Sequence, residues 1–373
     1  MSGYLGDSVN VAVLGSGVAG ASTAYALARR GARVSIIDEP RTGQATAAGA
    51  GIIAPWTSAV DGPFYELYAA GAGHYPRLVD ELADRDIAIG YRRSGALVVA
   101  DDDTTLDEVS ARASARADAA PEMGEIARVS AEETSAMFPP LRRDLAGIFV
   151  SGGARVDGRL LRAGLLQAAI ESGAEVRHGL ARIARDGAGV AVDLGDDIER
   201  YDAVVVAAGA WSNAVLADLG FDLPLAPQRG QIVHLSLPGA TTTHWPSVLP
   251  VASHYLVCFD GSRVVAGATR ETGSGFDPRV TAAGQREVID NALSIAPGLA
   301  DATVLETRVG LRPVSADGVP YLGRLGDLPV WVNVGFGAAG LTMGPYVGDQ
   351  LAIGVLGGAM SPLMSTASPS RIN

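Results

Sequence analysis

Residues 9–38, VNVAVLGSGVAGASTAYALARRGARVSIID, constrain the fold of this chain more than any other stretch. A β-branched apolar run ends in a glycine cluster, apolar residues then recur at helical spacing, and a second β-branched run closes on an acid. The pattern predicts a βαβ unit. Within it Gly15, Gly17 and Gly20 stand in the order GxGxxG, and Asp38 follows Gly20 by eighteen residues. Each glycine has a separate task. Gly15 permits a tight turn, Gly17 lets the backbone approach a pyrophosphate, and Gly20 lets the helix lie close on the strand. The helix N-terminus offers unpaired N–H groups and partial positive charge to phosphates. Asp38 can accept hydrogen bonds from an adenosine ribose, and its charge repels a 2′-phosphate, which disfavours NADP. NAD and FAD share this loop, so it leaves the choice between them open.

At 373 residues the chain is long enough for two domains with sizeable cores. Further βα signals occur in the middle, where VDGRLLRAGLLQAAIESGAEV and YDAVVVAAGAWS read as a helix and a buried strand. Another closes the chain, where PVWVNVGFGAAGLTMGPYVGDQLAIGVL reads as strand, glycine loop and helix. Between them QIVHLSL, YLVCF and RVVAGAT read as strands of an antiparallel sheet. FYELYAAGAGHYPRLVDELADR and LDEVSARASARADAA have helical spacing, and Asp102, Asp103 and their acidic neighbours are expected on a solvated face.

Composition removes several function classes. All 29 basic residues are arginines, and a chain without lysine has no Schiff-base or pyridoxal-phosphate catalysis and no P-loop GK[ST]. A net charge of −12 with no basic stripe argues against a nucleic-acid partner. The single cysteine, Cys258, permits neither an intrachain disulfide nor a CxxC. The five histidines show no metal-ligand spacing, so no metal is expected. No apolar stretch approaches the roughly 20 residues of a bilayer span, and LAIGVLGGAM fits the end of a packed helix. MSGYLGDSVNVAVLG has no basic segment ahead of its apolar run. A cytoplasmic protein without transmembrane segments is the expectation.

ATAAGAGIIAP at 45–55, GLRPVSADGVPYLG at 310–323 and GFGAAGLTMGP at 335–345 carry a family resemblance, joined by VDGRLLRAGLL, AAGAWSN, RGQIVHL and GATRETGSGFD. Together they resemble the FAD-dependent amino-acid and amine oxidoreductases of the D-amino-acid oxidase superfamily, above all its glycine oxidase and D-amino-acid dehydrogenase branch. The resemblance implies an α/β fold, α+β overall, with a Rossmann-type FAD-binding domain and an inserted substrate domain on a mostly antiparallel sheet. Segments 1–55, 145–222 and 306–373 would form the first, and 56–144 and 223–305 the second. It implies FAD held non-covalently, since Cys258 lies away from the motif that carries covalent flavin in sarcosine-oxidase relatives. Val18, Ala19, Asp38, Glu39, Ala45, Thr46, Ala50, Gly51, Ile52 and Gly209 would lie along the cofactor, with Leu180 near the adenine. Phe336, Gly337, Ala338, Ala339, Gly340, Leu341 and Thr342 would wrap the isoalloxazine. Gly337 and Gly340 precede a helix whose dipole can stabilise negative charge on a reduced flavin; a plain glycine turn is the other reading.

By the same resemblance Arg312 grips a substrate carboxylate, as the planar fork of a guanidinium is suited to do. A structural salt bridge to Asp317 is its alternative. Tyr255 would point its hydroxyl at the substrate, against the alternative of a core tyrosine. The histidine that glycine oxidase carries two positions before this tyrosine is Ser253 here, with His254 displaced by one and kept as a substrate-binding candidate. Where glycine oxidase has a further arginine in the isoalloxazine loop, this chain has Ala338, which implies a roomier pocket. The implied reaction oxidises the C–N bond of an α-amino acid or N-substituted glycine by hydride transfer to flavin N5. The imine then hydrolyses to a 2-oxo acid and an amine or ammonia, and the electrons pass to oxygen or a quinone. A quinone-linked D-amino-acid dehydrogenase, a flavin-binding scaffold subunit and an NAD-dependent opine-type dehydrogenase are the alternatives. Homo-oligomerisation is compatible with all of them.

Overall fold

The computed structural model describes residues 8–372 apart from 188, 196 and 253. The N-terminal residues 1–7 and Ser253, on which two of the expectations above fall, lie outside the described residues.

The βαβ unit forms as strand Asn10–Leu14, helix Val18–Ala28 and strand Arg33–Asp38. The strands pair in parallel, with Val11 opposite Val34 and Val13 opposite Ile36, because the helix returns the chain along the face of the sheet. Every residue of that helix is buried, which explains a sequence that is small and apolar on all sides instead of striped. The C-terminal helix Gly340–Val355 covers part of it, with Gly344 and Gly348 seated on Val18, Ser22 and Thr23. The parallel sheet then grows outward on both sides. Its order is Val330–Val334, Ala203–Val206, Asn10–Leu14, Arg33–Asp38, Glu175–His178, with Tyr321–Arg324 added antiparallel beside Val330–Val334.

A second, mostly antiparallel sheet of nine strands carries the remaining long strands. Leu225–Ser236 and Thr303–Ser315 pair along their whole lengths, with Gly230 opposite Gly310 and Gln228 opposite Arg312. On the other side of Leu225–Ser236 the order runs Arg263–Gly267, Tyr255–Phe259, Ser247–Pro250, Ala96–Ala100, Ala146–Val150 and Ile126–Val129. Only Ser247–Pro250 and Ala96–Ala100 pair in parallel. The boundary expected at 145 falls just before strand Ala146–Val150 of this sheet, and the one expected at 306 falls inside its strand Thr303–Ser315. Helix Asp103–Arg116 packs Val109 and Ala113 into a cluster with Val98 and Ile148 of the sheet. Asp102 caps that helix by accepting from the Thr105 N–H at 2.8 Å, and Asp103 pairs with Arg128 on an exposed face. The architecture is the α/β fold read from the sequence: a Rossmann-type sheet with an inserted, mostly antiparallel one. No helix among the described residues is long and apolar enough to cross a membrane.

Candidate active site

A cavity of about 970 Å³ lies between the two sheets. One end is the glycine loop. Gly15 has φ +106°, open to glycine, and a Cβ on Gly20 would collide with the Gly15 carbonyl oxygen. Helix and strand therefore meet as the spacing predicts. Gly17 caps helix Val18–Ala28 without a side-chain hydrogen bond, and the first turn holds no acid, so the amides face an uncancelled dipole toward the cavity. Thr46 Oγ1 accepts from the Val18 N–H at 3.0 Å and ties the 45–48 turn to this helix end. Asp38 accepts from the Ser16 N–H at 3.2 Å and hydroxyl at 2.6 Å, and Arg162 lies 3.6 Å away. Its carboxylate is thus fixed where the strand ends.

The other end is built on the antiparallel sheet and the 335–340 loop. Gly337 N–H donates to the Pro313 carbonyl at 2.9 Å and Val314 bridges Phe336, which sets this loop beside Arg312. The loop leads into helix Gly340–Val355, again with neither a side-chain cap nor an acid in the first turn. The Arg312 guanidinium lies over Gly230, where any side chain would displace it, and the Tyr255 ring lies over Gly267 in the same way. Arg312 donates to the Thr269 carbonyl at 3.0 Å and the Gln228 amide oxygen at 3.4 Å. Among the described residues it has no ion pair; Asp317, its alternative partner, is taken by Arg371 at 2.8 Å. Burial lowers the Arg312 pKa. Burial likewise raises that of Tyr255, against the pull of Arg312 and Arg270, so the phenol is a neutral donor at neutral pH. Burial also lowers the pKa of His254, whose Nε2 has no partner.

The cavity wall brings together Gly15, Gly17, Val18, Ala19, Asp38, Glu39, Ala45, Thr46, Ala50, Gly51, Ile52, Leu180 and Gly209 with Phe336, Gly337, Ala338, Gly340, Leu341, His254, Tyr255 and Arg312. Three expected residues are not on it. Gly20 is the packing glycine behind the loop, Ala339 is buried at the helix cap, and Thr342 is turned away to donate to the Ile52 carbonyl at 3.1 Å. Four arginines on the wall were missed: Arg41 and Arg182 at the nucleotide end, Arg270 beside Arg312 and Tyr255, and Arg112. Arg270 stood in GATRETGSGFD, quoted only for resemblance, and Arg112 in a helix read from spacing alone.

This fold and this cavity define a nucleotide-dependent oxidoreductase, with a dinucleotide loop at one end and an anion-receptive pocket at the other. The FAD dependent oxidoreductase family, DAO, matches residues 10–352, and the chain belongs to it. The chain is similar to an uncharacterized oxidoreductase, YurR, of Bacillus subtilis, with 44% identity covering 92% of this chain and 94% of the relative. It is similar to the glycine oxidase of Pseudomonas aeruginosa, with 32% identity over 91% of this chain and 92% of that protein. The crystal structure of iminodiacetate oxidase (IdaA) from Chelativorans sp. BNC1 superposes with a TM-score of 0.94 at 48% identity, covering 96% of this chain and 98% of that one. The protein is thus an FAD-dependent amino-acid or amine oxidoreductase, and the NAD-dependent alternative falls away. The residues present fit FAD: two helix N-termini with no acid in their first turns open on one cavity, and a glycine loop admits a pyrophosphate where side chains would block it. The cofactor is held without a covalent bond. Cys258 is fully buried, off the cavity wall, and burial pushes its thiol pKa far up.

Proposed function

We propose that this enzyme oxidises the C–N bond of a secondary amine bearing an N-carboxymethyl group, releasing glyoxylate and the smaller amine. The observation that carries this reading is Arg312, a largely buried guanidinium on the cavity wall that pairs with no carboxylate among the described residues, Glu271 nearby being taken by Arg229. A bound carboxylate would supply the missing charge through two parallel hydrogen bonds, fixing orientation as well as position. Arg270 adds positive charge beside it, and the Tyr255 hydroxyl adds a donor. With the carboxylate held, the neighbouring carbon has one place to sit, and near-attack placement of this kind removes much of a barrier.

Gly15, Gly17 and the helix end at Val18 would hold the pyrophosphate, Asp38 the ribose, and the 336–341 loop the ring. FAD, when bound, supplies the two-electron acceptor for hydride leaving the α-carbon. The substrate nitrogen gives up its proton, a C=N bond forms, and water adds across it to release glyoxylate and amine. Oxygen, the acceptor we favour over a quinone, takes two electrons and two protons to become hydrogen peroxide. Ala338 faces the cavity and leaves room for a substituent on nitrogen, which favours an N-substituted glycine over glycine itself. The likeness to an iminodiacetate oxidase supports the same choice. As part of this proposal, segments 1–55, 145–222 and 306–373 serve the cofactor and 56–144 and 223–305 the substrate.

Anaerobic mixing of the flavoprotein with a panel of N-carboxymethyl amines, D-amino acids and L-amino acids tests the reading. Bleaching of the flavin absorbance by the N-carboxymethyl compounds, with glyoxylate formed, is expected. Bleaching by amino acids alone would overturn it.

A further inference from the structure

We propose that Arg112 binds an anionic group at the far end of the substrate, so that the preferred amines carry a second carboxylate beyond the reacting N-carboxymethyl group. This rests on the function proposed above. Arg112 lies on helix Asp103–Arg116 and lines the cavity with Val98, Val109 and Leu249. The strand that holds Val98 is five steps across the sheet from the strand that holds Arg312, so the two cations are set well apart along the substrate end of the cavity.

What separates Arg112 from an ordinary surface arginine is its neighbour one turn on. Residues four apart share a helix face, and Arg116 uses that face to the full. It donates to the carbonyls of Trp56, Ser58 and Val60 at 2.7, 2.9 and 2.6 Å, pairs with Asp61 and stacks on Tyr65. The 56–61 turn is thereby anchored without help. Arg112 has one contact with it, to the Thr57 carbonyl at 3.5 Å, the limit of a hydrogen bond. Its Nε is buried with no partner, and among the described residues no carboxylate pairs with its guanidinium. Glu108, one turn earlier, is exposed and does not reach it.

The acids on the cavity wall are confined to one end. Asp38, Glu39 and Asp218 sit at the nucleotide end, where Arg41 and Arg182 accompany them, whereas the substrate end carries Arg112, Arg270 and Arg312 with no acid between them. Arg270 and Arg312 converge near Tyr255; Arg112 stands apart, beyond an aliphatic stretch. That order, paired cations, apolar wall, single cation, matches a carboxymethyl amine whose other substituent has an aliphatic stem and an anionic tip.

The test uses the FAD-loaded full-length enzyme and N-carboxymethyl amines of matched length ending in a carboxylate or in a neutral carboxamide. Affinity is read separately by calorimetry with the corresponding thioethers, in which sulfur replaces the oxidisable nitrogen. The carboxylate end is expected to be favoured about ten- to a hundredfold in kcat/KM and in affinity, the range of a hydrogen bond to a charged group. Arg112→Gln should erase that preference and Arg112→Lys should restore most of it. Equal handling of the two ends by the parent enzyme, or equal loss on both in Arg112→Gln, overturns the inference while leaving the proposed function standing. Preferential binding of the diacid thioether through Arg112, with no N-carboxymethyl amine oxidised, sinks the proposed function and supports the inference.

Discussion

Three arginines on the two paired long strands show how much a counter-charge decides. Arg229 spends its guanidinium on Glu271 and Asp277, at 2.6 and 2.9 Å, and Arg308 on Glu306 at 2.5 Å. Arg312 faces an uncharged carbonyl, an amide oxygen and the neutral Tyr255 hydroxyl, and among the described residues has no ion pair. A desolvated cation without a partner is costly, and a substrate carboxylate relieves that cost on binding. Arg312→Ala is therefore expected to lower kcat/KM by a factor equivalent to about 2–5 kcal/mol, mostly through KM. Steady-state kinetics check this, with flavin content per chain expected to stay at the parent level. Unchanged kinetics would make Arg312 a scaffold residue. His234 illustrates the opposite case, a titratable group with no ligand to wait for. Its two ring nitrogens are buried without partners, and burial, then Arg308, push its pKa down to about 4. The unfolded chain holds that proton up to about pH 6.5. Between the two values the unfolded state binds more protons, so stability is complete above about 6.5 and is lost as pH falls toward about 4. Thermal midpoints across that interval should slope downward for the parent and more shallowly for His234→Gln.

Loops and helices place these side chains, and the glycine loop makes the sharpest claim of this kind. A Cβ at position 20 meets the Gly15 carbonyl oxygen head on, so Gly20→Ala must part helix from strand and move the amides that face the pyrophosphate. The variant is expected to purify with a lower ratio of flavin absorbance to protein and a lower thermal midpoint; a full flavin complement would show that the loop tolerates the shift. This unit was legible because everything in it is local: glycines two and three residues apart, an apolar run before them and an acid after. Arg312 and the 335–340 loop were legible through motifs, although nothing in their spacing says that Gly337 docks on Pro313. Arg270 was not legible. It reaches Arg312 only because Gln228 lies between Thr272 on one side and Arg312 on the other, a register no local pattern encodes. Arg112 and Arg116 were equally hidden. Helical spacing defines their shared face but not the 56–61 turn that covers half of it.

Over the whole molecule, the parallel sheet is drawn from both ends of the chain, since Asn10–Leu14 is its centre and Val330–Val334 lies beside Ala203–Val206. Contacts between remote segments must therefore hold the cofactor end shut. Asn333 donates to the Ala19 carbonyl at 3.2 Å and to Thr23 Oγ1 at 3.0 Å. Asp349, on the C-terminal helix, pairs with Arg29 and with Arg30, and Arg29 also pairs with Glu81 of helix Gly62–Ala83 at 3.1 Å. Burial acts to raise the Asp349 pKa, but Arg30 and Arg29 outweigh it and hold it below the ordinary carboxylate value. The stability this pair contributes is present above that ordinary value and is lost as pH falls through the lower one. Asp349→Asn leaves two guanidiniums facing a neutral amide. Breaking a buried pair costs about 3–5 kcal/mol, and the lower figure is expected here because Arg29 keeps Glu81. Since the first and last helices both start at the cavity, flavin retention should fall together with the urea midpoint, although Asp349 is not on the cavity wall. An Asp349→Asn protein that unfolds at the parent's urea concentration would place the closure of the two chain ends in the packing of Gly344 and Gly348 on the first helix.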